Sequence, residues 1–134
     1  MLPFEFVIDG PPVSQQTRRR ARVRRWTEEV RRSAARDWPV GEFPEMGPIM
    51  VTVRYFYDAV EIDIDNILKP ILDALKGLLY TDDNQITDIL CRKRNRTRNV
   101  RIENPSSMLV DRFSRGKEFL YIAVEQAPAQ EVIP

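Results

Sequence analysis

The hydrophobic residues of this chain change period along its length, and the order of those changes restricts the fold more than any other feature. Leu2, Phe4, Phe6 and Ile8 recur at every second position, the repeat of a strand buried on one face, and Asp9-Gly10-Pro11-Pro12 ends the run. Trp26, Val30, Ala34 and Trp38 recur at every fourth position, with Ala35 beside them and arginines around them. That stripe predicts a helix over Arg24–Trp38, stopped by Pro39 and Gly41. Pro48–Tyr57 is rich in β-branched and aromatic residues and reads as a second strand, with Arg54 on a solvent or nucleic-acid face. Asp58–Asp63 is a loop. Ile67, Ile71, Leu75 and Leu78 make a second helical stripe, flanked by Leu68, Leu72 and Leu79. Pro70 is tolerable only in a first turn, so this helix is expected to start near Ile67, capped by Asp65 or Asn66, and to run to about Leu79 with a loosening at Gly77. Gln85–Arg94 reads as a third strand, with Ile86, Ile89 and Cys91 toward the core, and Phe119–Glu125 as the last. Arg96–Gly116 shows no period and reads as a long loop. The order β, α, β, α, β, loop, β predicts a small α/β (α+β) fold: a mixed sheet of about four strands with two main helices packed on it. Residues 1–134 form one domain in this reading, with a basic mobile loop at 14–25 and a frayed tail at 127–134.

Charge is distributed in blocks. The net charge is only +1. Yet Arg18, Arg19, Arg20, Arg22, Arg24, Arg25, Arg31, Arg32 and Arg36 crowd one segment, and Arg92, Lys93, Arg94, Arg96, Arg98 and Arg101 crowd another that holds no acid. Between them, acids outnumber Lys69 and Lys76 from Asp58 to Asp88. All 21 basic residues except Lys69, Lys76, Lys93 and Lys117 are arginine, whose planar fork grips two phosphate oxygens at once. Two basic blocks around an acidic one point to nucleic-acid binding. The chain holds no histidine, which excludes His-dependent triads, His-Glu zinc motifs and any His general base. A single cysteine, Cys91, cannot form an internal disulfide and reads as a small strand residue. No apolar run approaches the ~18–20 residues of a membrane span. The N-terminus does not read as a signal peptide, so a cytoplasmic location is expected.

The acidic block carries the chemistry. Asp63 and Asp65 are two apart, a spacing that puts both on one side of an extended segment, and Asp82-Asp83 follows on a turn beyond the helix. Repulsion discourages such a gathering unless a cation lies within it. Oxygen-only donors favour Mg²⁺, with Mn²⁺ as a substitute, over zinc or copper. Lys69 stands four residues after Asp65 and four before Asp73, on one helix face. It reads either as a partner in surface ion pairs or as a cation for a phosphate beside the metal. Asn66 reads as a helix cap or as a holder of a carboxylate.

Asp63-Ile64-Asp65-Asn66-Ile67-Leu68-Lys69, then Leu72-Asp73-Ala74-Leu75, then Asp82-Asp83-Asn84-Gln85-Ile86, resembles the signature of the RusA family of Holliday junction resolvases. That signature runs D-x-D-N-x-x-K, a helical L-D-A-L, and a D-D-x-Q turn opening a strand with a basic residue soon after. Gly10-x-Pro12 with Ser14 and the following arginines also resembles the N-terminal segment of the family. The resemblance implies a homodimer with one metal site per subunit, resolving four-way DNA by paired phosphodiester cuts, with no membrane and no small-molecule cofactor. It implies that Asp63, Asp65 and Asp83 bind the metal, that Lys69 is the essential lysine, and that Asn66, Asp73 and Asp82 support them. Ser14, Arg18, Arg19, Arg20, Arg22, Arg24, Arg25, Arg92, Lys93, Arg94 and Arg96 are then the expected DNA-binding residues. The chain departs from the family in Pro70 directly after the lysine, in a longer 96–116 segment, and in a denser Arg18–Arg25 cluster. The rival readings are a catalytically inactive or RNA-directed nucleic-acid-binding protein of the same fold, and an Asp-x-Asp phosphatase. The last is disfavoured because Asp58-Ala59-Val60-Glu61 separates the motif from its strand.

Overall fold

The computed structural model describes residues 1–59 and 61–134; Val60, which falls within the loop expected from the sequence over Asp58–Asp63, lies outside the described residues. The strands are β1 (Phe4–Asp9), β2 (Ile49–Tyr57), β3 (Ile86–Asn95) and β4 (Phe119–Gln126), and the helices are α1 (Arg20–Asp37), α2 (Ile64–Leu75) and α3 (Ser107–Ser114). They form one mixed sheet in the order β1-β4-β2-β3. β4 runs antiparallel to both neighbours, while β2 and β3 are parallel and joined through α2. A parallel pair needs such a crossover, and α2 with its following turn supplies the length.

The two strand faces are used differently. Val51, Val53 and Tyr55 of β2 and Leu120, Ile122 and Val124 of β4 point at α1 and α2, where Trp26, Val30, Ala34, Ile67, Ile71 and Leu75 meet them, all buried. The predicted helical stripes therefore form the main core. On the opposite face Phe56, Phe119 and Tyr121 pack under Leu109, with Phe113 edge-on to both phenylalanine rings. That second layer comes from α3, in the segment expected to be a loop. Ser106 caps it by accepting from the Leu109 amide, and only Leu109 of its residues is fully buried. One buried anchor in two turns is too weak a periodic signal to stand out among Asn104-Pro105-Ser106-Ser107.

α2 starts at Ile64, with Asp63 and not Asp65 or Asn66 at its N-cap, three residues before the expected start near Ile67. Two other helix boundaries and one strand residue also differ from expectation. α1 begins at Arg20, so only the first part of 14–25 is loop. α2 ends at Leu75, with Lys76 as its cap and Gly77 at φ +86°, a left-handed position suited to glycine. Ile89 is 44% exposed, because β3 is an edge strand and the helices cover the centre of the sheet. At the tail, the Ala127 amide donates to the Pro48 carbonyl.

α2 carries no basic residue in its last turn, yet its terminal carbonyls are satisfied. Arg31 of α1 reaches across and donates to Ala74 O (3.2 Å) and Lys76 O (2.9 Å). A guanidinium there also meets the negative end of the helix dipole. Arg31→Met is expected to destabilise the protein by about 1.5 kcal/mol, the scale of a charge-assisted bond. Urea unfolding measures it, and a loss under ~0.5 kcal/mol would remove Arg31 from this role.

Cys91 packs against the main core from β3. Burial pushes its thiol up to about 11, against the opposing pull of the Lys93 ammonium. Thiolate is the reactive form, so alkylation by iodoacetamide at pH 8 should run roughly 100-fold slower than for a free thiol. The rate should climb steeply toward pH 11; mass spectrometry of the Cys91 peptide follows it.

Candidate active site

α2 begins directly after Asp63, and its first turn carries Asp65 and Asn66. The strong apolar stripe of Ile67, Ile71, Ala74 and Leu75 buries one side of the helix, which forces Asp65, Lys69, Asp73 and Lys76 outward. Asp63 and Asp65 are exposed, and among the described residues neither forms an ion pair. Lys69 Nζ donates to Asp73 Oδ1 at 2.8 Å. That hydrogen bond and the Asp73 charge raise the lysine pKa, outweighing slight desolvation, with a smaller contribution from Asp83. Lys69 is thus a cation throughout the neutral range.

Pro70 sits inside the helix and is buried. Lacking an N–H, it cannot donate to the carbonyl of Asn66, four residues earlier. The Gln15 amide takes that place, donating to Asn66 O at 3.0 Å. The departure from helix chemistry thereby docks the basic loop onto the start of the acidic motif. Ser14 closes a tight turn in this loop through the Gln16 and Thr17 amides, and Arg20 donates to Gln15 O at 2.7 Å. Arg20, Arg24 and Asp73 line a groove of about 370 Å³ between α1 and α2. Arg18, Arg19, Arg22 and Arg25 are exposed nearby, and among the described residues no arginine from Arg18 to Arg25 has a carboxylate partner.

Asp83 lies elsewhere. Its Oδ1 is 3.4 Å from the Tyr80 hydroxyl, which donates to Leu72 O at 2.7 Å, and Lys76 Nζ is 3.6 Å from its Oδ2. Leu72 is seven residues beyond Asp65, about 10 Å along a helix axis. Burial, followed by the Asp83 charge, raises the Tyr80 pKa and keeps its proton in place. Asp82 and Gln85 form a capping box that shapes this turn. Among the described residues, no three acidic or thiol side chains gather closely enough to hold a metal ion. Asp63 and Asp65 offer hard oxygens with no ion pair among the described residues, a donor set that suits Mg²⁺, which takes one or two carboxylates and keeps water or phosphate for the rest.

The second basic block divides. Lys93 points to the helix side of the sheet and pairs with Glu61 at 2.8 Å, near Ile62 O. Its pKa is raised chiefly by the hydrogen bond to Glu61, with the Asp63 charge adding to it. Lys93 thus stands beside the motif as a second lysine, which its position among arginines in the sequence conceals. Arg96 is committed to a two-pronged pair with Asp58 (2.8 and 3.0 Å). Arg92 and Arg94 are exposed. Glu118, which no sequence signal marked, accepts from the Tyr55 hydroxyl at 3.0 Å and from the Asp58 amide at 3.2 Å, bracing the end of β2 that leads into the motif. A glycine at position 10 leaves room for it, since a Cβ there would lie 3.1 Å from Glu118 Oε1.

A family model described as "Endodeoxyribonuclease RusA" matches residues 10–103, well over half of the chain. The matched span includes the docked basic loop, both large helices, the acidic motif and β3. No curated protein matches the chain. No helix among the described residues is long and apolar enough to cross a membrane.

Proposed function

Because the chain belongs to the RusA endodeoxyribonuclease family, we propose that it hydrolyses phosphodiesters at four-way DNA junctions in recombination and repair. It acts as a homodimer that makes paired cuts, with Mg²⁺ as its cofactor and Mn²⁺ as a substitute. Asp63 and Asp65 would hold the ion, which when bound supplies Lewis acidity and a water of lowered pKa. Lys69, kept protonated by Asp73, presents its ammonium to the phosphate and offsets the charge that grows there. Asn66 fixes the docked loop through its carbonyl, and arginines of the 18–25 segment neutralise neighbouring phosphates. Asp83 helps to hold the charge on Lys69 and is the third ligand expected for the ion.

Asp63, just before α2, and Asp65 and Lys69 on it, all exposed beside arginines that have no acidic partner among the described residues, support this reading most directly. A synthetic mobile four-way junction incubated with Mg²⁺ tests it. Symmetric nicks near the branch point are expected, with none in EDTA and none on a linear duplex of the same sequence. Equal cutting of junction and duplex rejects structure selectivity, and preferential cutting of a branched RNA reassigns the substrate.

A further inference from the structure

The sheet face turned away from α2 carries its own cluster of positive charge. Arg54 of β2 and Arg92 of β3 are register partners in adjacent parallel strands. Such neighbours lie only about 4.8 Å apart and point to the same side. Phe56, the next residue on that side of β2, is partnered by Arg94. Arg101 closes the far wall, and the four arginines line a groove of about 470 Å³ with Val100 and Ile102 at its edge.

Like charges directly opposite on one sheet face are destabilising. Among the described residues, Arg54, Arg92 and Arg94 make no ion pair, and Arg101 meets only Glu103, at 3.6 Å with both side chains in solvent. The Tyr121 ring beneath Arg54, 5.6 Å from its guanidinium carbon, offers a mild cation–π contact. An arrangement that opposes folding and is walled on both sides reads as a receptor for an anion that several guanidinium groups share.

We propose that this groove binds the phosphate backbone of a second DNA arm, distinct from the arm presented to Asp63, Asp65 and Lys69. The inference rests on the junction-directed reading above and adds to it a source of structure selectivity. α2 and the basic loop lie on one side of the sheet and the groove on the other, so one straight duplex cannot engage both. A four-way junction sends arms in several directions. Linking two binding surfaces makes the second contact intramolecular, which raises junction affinity over duplex affinity without any base-specific contact.

Fluorescence anisotropy in EDTA, where no cutting occurs, tests this with a labelled four-way junction and a linear duplex of the same sequence. For R92Q/R94Q, both exposed positions, junction affinity is expected to fall at least tenfold. The ratio of junction to duplex affinity should fall to about one. The slope of log affinity against log salt for the junction should shrink by about 2, one unit for each phosphate that is no longer neutralised. R54Q in a separate protein should show the same direction, and R92K/R94K should restore most of the preference. Thermal melting confirms that each variant is folded. A retained junction preference in folded R92Q/R94Q and R54Q overturns the groove assignment while leaving the nuclease reading intact. Wild-type protein with no junction preference overturns both. Displacement of the junction by micromolar mononucleotide or pyrophosphate overturns the duplex-arm assignment in favour of a small phosphate ligand.

Discussion

Asp65→Asn is expected to reduce junction cleavage in Mg²⁺ by about 10³-fold, the effect of losing several kcal/mol of metal-derived stabilisation at the reacting phosphate. Junction affinity measured in EDTA should hold or rise, because one negative charge leaves the surface proposed to meet DNA. Stability should change by less than ~0.5 kcal/mol. Asp65 is exposed and has no ion pair among the described residues, and its only structural benefit is a weak interaction with the helix N-terminus. Loss of activity without loss of stability separates chemistry from folding. Asp73→Asn is the informative contrast. It removes the partner that holds Lys69, so it should slow cutting by a smaller factor, on the order of tenfold, through a wandering ammonium. Single-turnover rates on end-labelled junctions give both numbers. An Asp65→Asn protein that keeps its wild-type rate would sink the metal assignment.

Gln85→Ala is expected to cost about 3 kcal/mol of stability. Gln85 is buried, and its side-chain oxygen accepts from the Thr81 amide, the Thr81 hydroxyl and the Asp82 amide at 2.8, 2.8 and 3.0 Å. Its amide nitrogen donates to Glu45 O and Gly47 O at 2.7 and 3.0 Å. Alanine leaves those groups without partners and loosens the turn that presents Asp83. Gln85→Glu keeps the size but turns an oxygen toward two carbonyls, so it should destabilise comparably at neutral pH. It should recover partly at acid pH, where the carboxyl protonates and donates. Urea titrations with an unchanged slope and a lowered midpoint would show the expected loss. A Gln85→Ala midpoint equal to wild type would show that the turn is held by Asp82 alone.

The same residue shows why the acidic motif was legible in outline and opaque in detail. Asp82-Asp83-Asn84-Gln85 reads as a turn opening a strand, and the chain does build a short 3-10 turn there that leads into β3. That the glutamine clamps the 45–47 segment, some forty residues earlier, is invisible to a local reading. Lys69 and Asp73 could be paired from helical spacing, because neighbours one turn apart meet on any helix. Arg31 could not be told from the other arginines of its segment, since its partners belong to another helix. Lys93 and Arg96 likewise sit in a basic run, yet tertiary partners Glu61 and Asp58 take them out of it. Pro70 reads as a fault in a helix until the Gln15 amide is seen filling the gap it leaves.

By itself the sequence determined what short-range physics controls. Alternating and four-residue apolar repeats set which segments become strands and helices and which face each one buries. The three motif blocks over 63–69, 72–75 and 82–86 set the family and the acids and lysine proposed for its chemistry. Only the tertiary structure decided the strand order, which inserts β4 between β1 and β2, and with it the two faces of the sheet. It placed Asp63 near Lys93 and Asp83 toward the far end of α2, and it set Arg54 beside Arg92 from strands far apart in the chain. The physical reason is that periodicity reports only which side of an element is apolar, while partner choice depends on the summed burial and hydrogen bonding of the whole sheet, a property no single segment carries.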